Sequence, residues 1–117
     1  MIERIFTIYA IRNKVNGKIY VGRTSQTVRE RAILHFRALK NGKHNSPTMQ
    51  DDYNKYGKDV FEVYEIEKGV PWDSDREYFY MDLYRSCNKD YGYNAKDPHH
   101  KTALDFEIFE GRPAIPK

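Results

Sequence analysis

The dipeptide Asn16-Gly17 constrains this chain more than any other feature, because it lies between two short runs that only make sense as paired strands. These are Thr7-Ile8-Tyr9-Ala10-Ile11 and Lys18-Ile19-Tyr20-Val21-Gly22. Both runs are rich in β-branched and aromatic residues, and Asn-Gly supplies the positive φ values of a tight reversal, so Thr7 to Gly22 is expected to be a β-hairpin. Side chains alternate along a strand. A turn with an even number of loop residues, either Asn16-Gly17 alone or the wider Lys14 to Gly17, therefore places Tyr9 and Tyr20 on one face. Taken alone, two such phenols are also what an amphipathic core edge looks like in a chain with ten tyrosines.

Length and composition narrow the classes. A chain of 117 residues suits a single domain with one modest core. No apolar run is long enough to span a bilayer, and the N-terminus lacks the basic-then-apolar order of a signal peptide, so a soluble, cytoplasmic protein is expected, with no membrane partner. A single cysteine, Cys87, excludes an internal disulfide framework and a cysteine-based zinc site. Charge is uneven: residues 1–58 carry twelve Lys and Arg against four Asp and Glu, and residues 59–117 carry eight against thirteen. The basic half suits a polyanionic partner, although a solvated basic surface would look the same.

Past the hairpin, Thr27-Val28-Arg29-Glu30 has the form of a capping box, and a helix is expected from Val28 to about Lys40, ended by Asn41-Gly42. Val28, Ala32, Phe36 and Leu39 recur at helical spacing as its buried stripe. At 100° per residue His35 falls inside that stripe and Arg31 on its edge. An arginine beside an apolar face must meet a carboxylate, snorkel to water, or face a cleft where an anion sits. Ser46-Pro47 reads as an N-cap followed by proline at the first helical position, opening a helix to Tyr56 that Gly57 closes. Residues Val60 to Ile66 read as a third strand, and a third helix is expected from about Asp73-Ser74 to Ser86, its stripe formed by Tyr78, Met81, Leu83, Tyr84 and Cys87. Ser74-Asp75-Arg76-Glu77 has the form of a second capping box, which gives Glu77 a purely structural alternative. The tail, Ala103 to Phe109, is a candidate edge strand.

Several of these residues together resemble the GIY-YIG nuclease superfamily. Thr7-Ile8-Tyr9, a ten-residue hairpin segment, and Tyr20-Val21-Gly22 are similar to its naming signature, with Thr7 standing where the family has glycine. Arg31 and His35 are similar to its helix motif, Lys43-His44-Asn45 and Asn54-Lys55-Tyr56-Gly57 to the segment that follows, Glu77 with Tyr78 to Met81 to its metal-carboxylate motif, and Gly92-Tyr93-Asn94 to its closing element. The five motifs occur in order over residues 5–95, and the layout is most similar to phage-type and intron-encoded members. The resemblance implies an α+β fold, a small antiparallel sheet of about three strands flanked by helices in the order β-β-α-α-β-α, with residues 96–117 as a tail to the same domain.

It also implies a metal-dependent DNA endonuclease with little built-in sequence specificity. Glu77 is then expected to hold one Mg²⁺, with Mn²⁺ as a substitute, and Arg31 to contact the phosphate through its fork of donors. Tyr9 would orient or deprotonate the attacking water beside Tyr20, His35 and His44 would serve as hydrogen-bonding or proton-transfer groups, and Asn94 would orient the site. Gly22, Arg23, Lys18 and Lys43 complete the expected substrate-binding set. A tyrosinate base needs nearby positive charge to bring its pKa down from ~10, and Lys18, of the same parity as Tyr20, is a candidate for that charge together with Arg31. His99 and His100 match nothing in the pattern. The alternatives of other classes are a nuclease-derived module that binds nucleic acid or protein without cutting, and a small structural phage protein. Double-stranded DNA is the expected partner, and monomer and homodimer both remain open.

Overall fold

A computed structural model describes residues 5–94, and the expected tail strand, His99 and His100 lie outside them. The elements are β1 (Ile5–Asn13), β2 (Ile19–Thr24), α1 (Val28–Lys40), α2 (Pro47–Tyr56), β3 (Phe61–Pro71) and α3 (Arg76–Tyr84), with a 3-10 turn, Lys58–Val60, before β3. The three strands form one antiparallel sheet in the order β2-β1-β3. This is the α+β architecture expected from the sequence.

The hairpin takes the wider of the two turns. Asn13 N–H donates to the Lys18 carbonyl, Gly17 N–H returns to the Asn13 carbonyl, and the Asn13 side chain accepts from Val15 N–H, so Lys14 to Gly17 form the loop. Only Gly17 takes a positive φ, +78°. The even loop length sets the register Tyr9↔Gly22 and Ile11↔Tyr20, which puts both phenols on one face.

As the middle strand, β1 is covered on both sides. Tyr9 and Ile11 pack toward α1 and α2 with Val28, Leu39, Met49, Phe61 and Tyr93, whereas Ile8 and Ala10 pack toward α3 with Ile19, Val21, Val70 and Met81. Local sequence fixes α1 and α2. The Thr27–Glu30 capping box forms reciprocally, and Ser46 caps α2 by accepting from Met49 N–H.

Two expectations are corrected. β3 does not stop at Ile66 but runs to Pro71, since its pairing with β1 shifts between Phe6 and Ile8 and again between Ile8 and Tyr9; the bulges absorb extra β3 residues around Gly69, whose φ is +69°. Gly69 thus bends a strand rather than ending it. The second correction concerns α3, which begins at Arg76 behind Asp75, and no capping box forms there: Arg76 N–H bonds to Ser74 Oγ, and Glu77 points elsewhere. Of its expected stripe, Met81 is buried, while Leu83 is 58% and Tyr84 37% exposed.

After α3 the chain returns to β2. Ile19 N–H donates to the Tyr91 carbonyl, Tyr93 N–H donates to the Ile19 carbonyl, and the Asn94 amide bonds both the N–H and the carbonyl of Val21 at 3.0 Å each. This return passes so close to the preceding turn that a Cβ on Gly92 would lie 2.2 Å from the Ser86 backbone. Backbone cannot yield as a side-chain tip can. Gly92→Ala is therefore expected to lower stability by about 3 kcal/mol, at the upper end of overpacking costs, read as a drop in the urea midpoint with the slope unchanged.

Candidate active site

The site forms where β1, β2 and the middle of α1 meet. Tyr9 is 1% exposed, and its Oη lies 2.6 Å from His35 Nε2. His35 Nδ1 lies 2.7 Å from His44 Nε2, and His44 Nδ1 accepts from Ser46 N–H at 3.0 Å. The rings of His35 and His44 stack with centroids 5.0 Å apart, and Tyr20 meets both edge-on, at 4.9 and 5.9 Å. Tyr20 and Tyr9 are neighbours, ring centroids 6.5 Å apart.

One backbone amide decides where every proton in this chain sits. An N–H can only donate, so His44 Nδ1 is an acceptor, and a neutral His44 carries its proton on Nε2. That proton is donated to His35 Nδ1, which leaves the His35 proton on Nε2, donated to Tyr9 Oη. Both histidines are held neutral. Burial first, then His44 and Arg31, bring His35 down to about 3, and burial with Arg31 lowers His44. Tyr9 is thus the hydrogen-bond acceptor of the pair.

This corrects the expectation of a phenol already lowered by its neighbours. Burial raises Tyr9 above the ordinary tyrosine value, Tyr20 adds to that, and Arg31 opposes it through both a hydrogen bond and its charge without prevailing. Tyr20 is raised as well, by burial and by Glu77, against Arg31. The charges acting on the two phenols are therefore those of Arg31 and Glu77. Lys18 closes the hairpin loop just ahead of β2 and is not among them.

The other expected residues fall around this chain. Arg31, Lys43, His35, His44 and Asn45 line one cleft of about 180 Å³, the place for an anion that Arg31's position on the helix allows. A larger groove, about 990 Å³, lies on the opposite flank of α1 among Val28, Ile33, Phe36 and Tyr64, but it contains none of these groups. Gly22 presents backbone for a reason internal to the site: a Cβ there would lie 2.6 Å from Tyr9 Oη. Glu77 and Arg23 pair across the β2 edge, Nε to Oε1 3.5 Å. Asn94 holds the backbone between Tyr20 and Gly22 by its two bonds to Val21. Sequence reading missed Ser46 as the residue that orients His44, and Gln50, whose Oε1 accepts from His44 N–H at 3.1 Å. The only available signal was that Ser46 and Gln50 lie one helical turn apart just after His44.

Comparison with known proteins agrees with this geometry. The family model described as "GIY-YIG catalytic domain" matches residues 5–94. The chain belongs to the GIY-YIG nuclease family. Among its relatives is the intron-associated endonuclease 1 of Enterobacteria phage T4, 37% identical over 94 residues, which cover 77% of this chain and 36% of that protein. The chain thus spans about a third of that relative's length. Two solved structures of the catalytic domain of the intron endonuclease I-TevI, one of them a point mutant, superpose with TM-scores of 0.69 and 0.68 at 35% identity, covering 80% and 79% of this chain and 95% and 99% of theirs. The chain is accordingly a GIY-YIG endonuclease catalytic domain.

The neutral histidines of this GIY-YIG site make its stability depend on pH. Their folded pKa values lie below the unfolded value of 6.5. Between pH 6.5 and the folded values the unfolded chain binds protons that the folded one does not, so stability is full above ~6.5 and falls as the pH drops, by at most about 1.4 kcal/mol per pH unit for each histidine. Urea midpoints measured at pH 7, 6 and 5 are expected to decline, and His35→Asn to flatten part of that decline.

Proposed function

We propose that this domain hydrolyses phosphodiester bonds in double-stranded DNA with a divalent metal ion, Mg²⁺ or Mn²⁺, as a phage- or mobile-element-type endonuclease with little sequence preference of its own. The observation that carries the reading is the ordered chain Ser46 N–H, His44, His35, Tyr9, ending at a phenol oxygen on which the charges of Arg31 and Glu77 both act. A module that only binds nucleic acid has no use for a buried acceptor of this kind.

Glu77 is the residue that would hold the metal. Among the described residues no group of three or more His, Cys, Asp or Glu converges, so the ion would be held by one carboxylate with waters and phosphate oxygens, a usual magnesium shell. The carboxylate suits that role, because burial raises its pKa and Arg23 offsets this only in part, leaving a negative charge that the protein compensates incompletely. When bound, the ion supplies positive charge that polarises the phosphate, stabilises the leaving oxygen and favours ionised neighbours.

The chain's own residues do the rest. Arg31 and Lys43 would bind the phosphate in their cleft. Arg31 and the His35 Nε2–H donate to Tyr9 Oη and stabilise negative charge on it, so that Tyr9, its own proton released to solvent, takes as phenolate the proton of the attacking water. Neither histidine is placed to do so: His35 Nε2 already carries its proton, and the Nδ1 of each ring accepts a hydrogen bond. Tyr20 would position the phosphate from the same face. Binding is expected to come mainly from phosphate contacts by the basic half and to weaken steeply with salt.

Single-turnover cleavage of plasmid DNA tests this assignment. Glu77→Gln is expected to abolish cutting at any Mg²⁺ concentration while the fold, followed by circular dichroism, is kept. Tyr9→Phe is expected to lose ~10² to 10⁴ in rate, as for removal of a general base, and Tyr20→Phe about tenfold, as for one neutral hydrogen bond. A wild-type rate that rises through pH 6–7 without an inflection would agree with Tyr9. An inflection near neutrality that His44→Ala removes would move the base to the histidines.

A further inference from the structure

Arg23 is more tightly held than a surface arginine at a strand end needs to be. It is the last residue but one of β2, and its guanidinium makes three contacts: Nε to Glu77 Oε1 at 3.5 Å, Nη1 to the Trp72 carbonyl at 2.9 Å, and its carbon 4.5 Å over the ring of Phe6. The pair is partly shielded, with the Arg23 side chain 38% and the Glu77 side chain 21% exposed. Phe6 lies on β1 and Trp72 just past β3, so the guanidinium bridges the sheet to the start of α3 at a carboxylate whose charge acts on both phenols.

We propose that Arg23 competes with the divalent ion for Glu77: it is the counter-cation of that carboxylate in the metal-free protein, and metal binding requires Arg23 to release it. The inference rests on the reading of Glu77 as the metal-holding residue. Its physics is that of two cations at one anion. A guanidinium already neutralising the carboxylate subtracts from the attraction the ion experiences, and if it stayed in place its charge would repel the ion across a few ångströms of partly desolvated space. Metal affinity is then the difference between two pairings rather than the strength of one. The consequence is a site with weakened metal affinity in the free protein, and a negatively charged ligand that draws Arg23 away would tighten it by the same factor with which metal tightens that ligand.

Trp72 makes the exchange observable, since it is the chain's single tryptophan, its carbonyl accepts from Arg23, and it is 56% exposed. Mn²⁺ alone, titrated into the full chain without DNA and followed by the free-ion paramagnetic resonance signal, measures affinity directly. Arg23→Gln is expected to bind Mn²⁺ about three- to tenfold tighter than the wild type, and Arg23→Lys, which keeps the charge, to stay near it. Mg²⁺ is expected to shift Trp72 emission in the wild type and to lose most of that shift in Arg23→Gln. Thermal melts establish that each variant is folded, and Arg23→Lys provides the comparison if loss of the Phe6 contact lowers the stability of Arg23→Gln. Equal or weaker Mn²⁺ binding by Arg23→Gln, with Glu77→Gln losing the ion, would overturn the competition and leave the metal assignment intact. Wild-type Mn²⁺ binding by Glu77→Gln would instead overturn the assignment of Glu77 and the competition with it.

Discussion

The 2.6 Å contact between Tyr9 Oη and His35 Nε2 is the interaction on which the site depends, because it joins the central strand to α1 at a point where both residues are buried. A buried polar atom left without a partner costs about 1–3 kcal/mol, and here two rings and a phenol would be left unpaired in succession if one link failed. The chain is terminated at a place that cannot change its role: Ser46 N–H, fixed by its position as the α2 cap, donates in every protonation state. Gln50 holds the His44 backbone from the next turn, and Ser46 Oγ donates to the Tyr93 carbonyl, which brings the segment that clamps β2 into the same assembly. Folding and proton placement are therefore set by the same bonds.

That economy explains which parts of the molecule could be read from its sequence. Features that a few adjacent residues determine were legible. Asn13 to Gly17 set the turn and through it the common face of Tyr9 and Tyr20; Thr27 with Glu30 started α1; Ser46-Pro47 started α2; and helical spacing alone placed His35 against the sheet with Arg31 at its margin. What failed depended on partners far along the chain. Gly69 looks like a terminator in isolation, yet pairing with β1 carries β3 across it as a bulge. Ser74 to Glu77 has the letters of a capping box, but Glu77 finds a cation 54 residues earlier in sequence instead of its own helix terminus. Lys18 shares a parity with Tyr20, and parity gives the face of a strand but not the reach of a side chain at its margin, beside the loop.

The tyrosine is the instructive case, since its residue type and face were readable while its ionisation state was not. Sequence places a cation near Tyr9, but it cannot weigh that cation against burial, and in the folded protein burial wins. A raised pKa is nonetheless compatible with the base role proposed for Tyr9. Were the phenol ionised at rest, a full negative charge would sit beside Tyr20, within the field of Glu77, with only Arg31 to offset it, at a cost in stability for a domain of this size. Holding Tyr9 neutral defers the charge until positive charge arrives.

The direction of the hydrogen bonds decides what that deferral accomplishes. With the protons on the Nε2 atoms, the histidine pair presents a donor to Tyr9 and has no site facing the phenol that could take a proton from it, so it stabilises a phenolate rather than creating one. A reversed chain, with Tyr9 donating to His35, would require Nδ1–H on His44 facing Ser46 N–H, two donors at a distance of 3.0 Å. The same side chains in that order would make a histidine base with tyrosine as its orienting group. The position of one main-chain amide, supplied by a serine whose evident purpose is to start a helix, therefore separates two mechanisms that an inventory of the catalytic residues would leave equivalent.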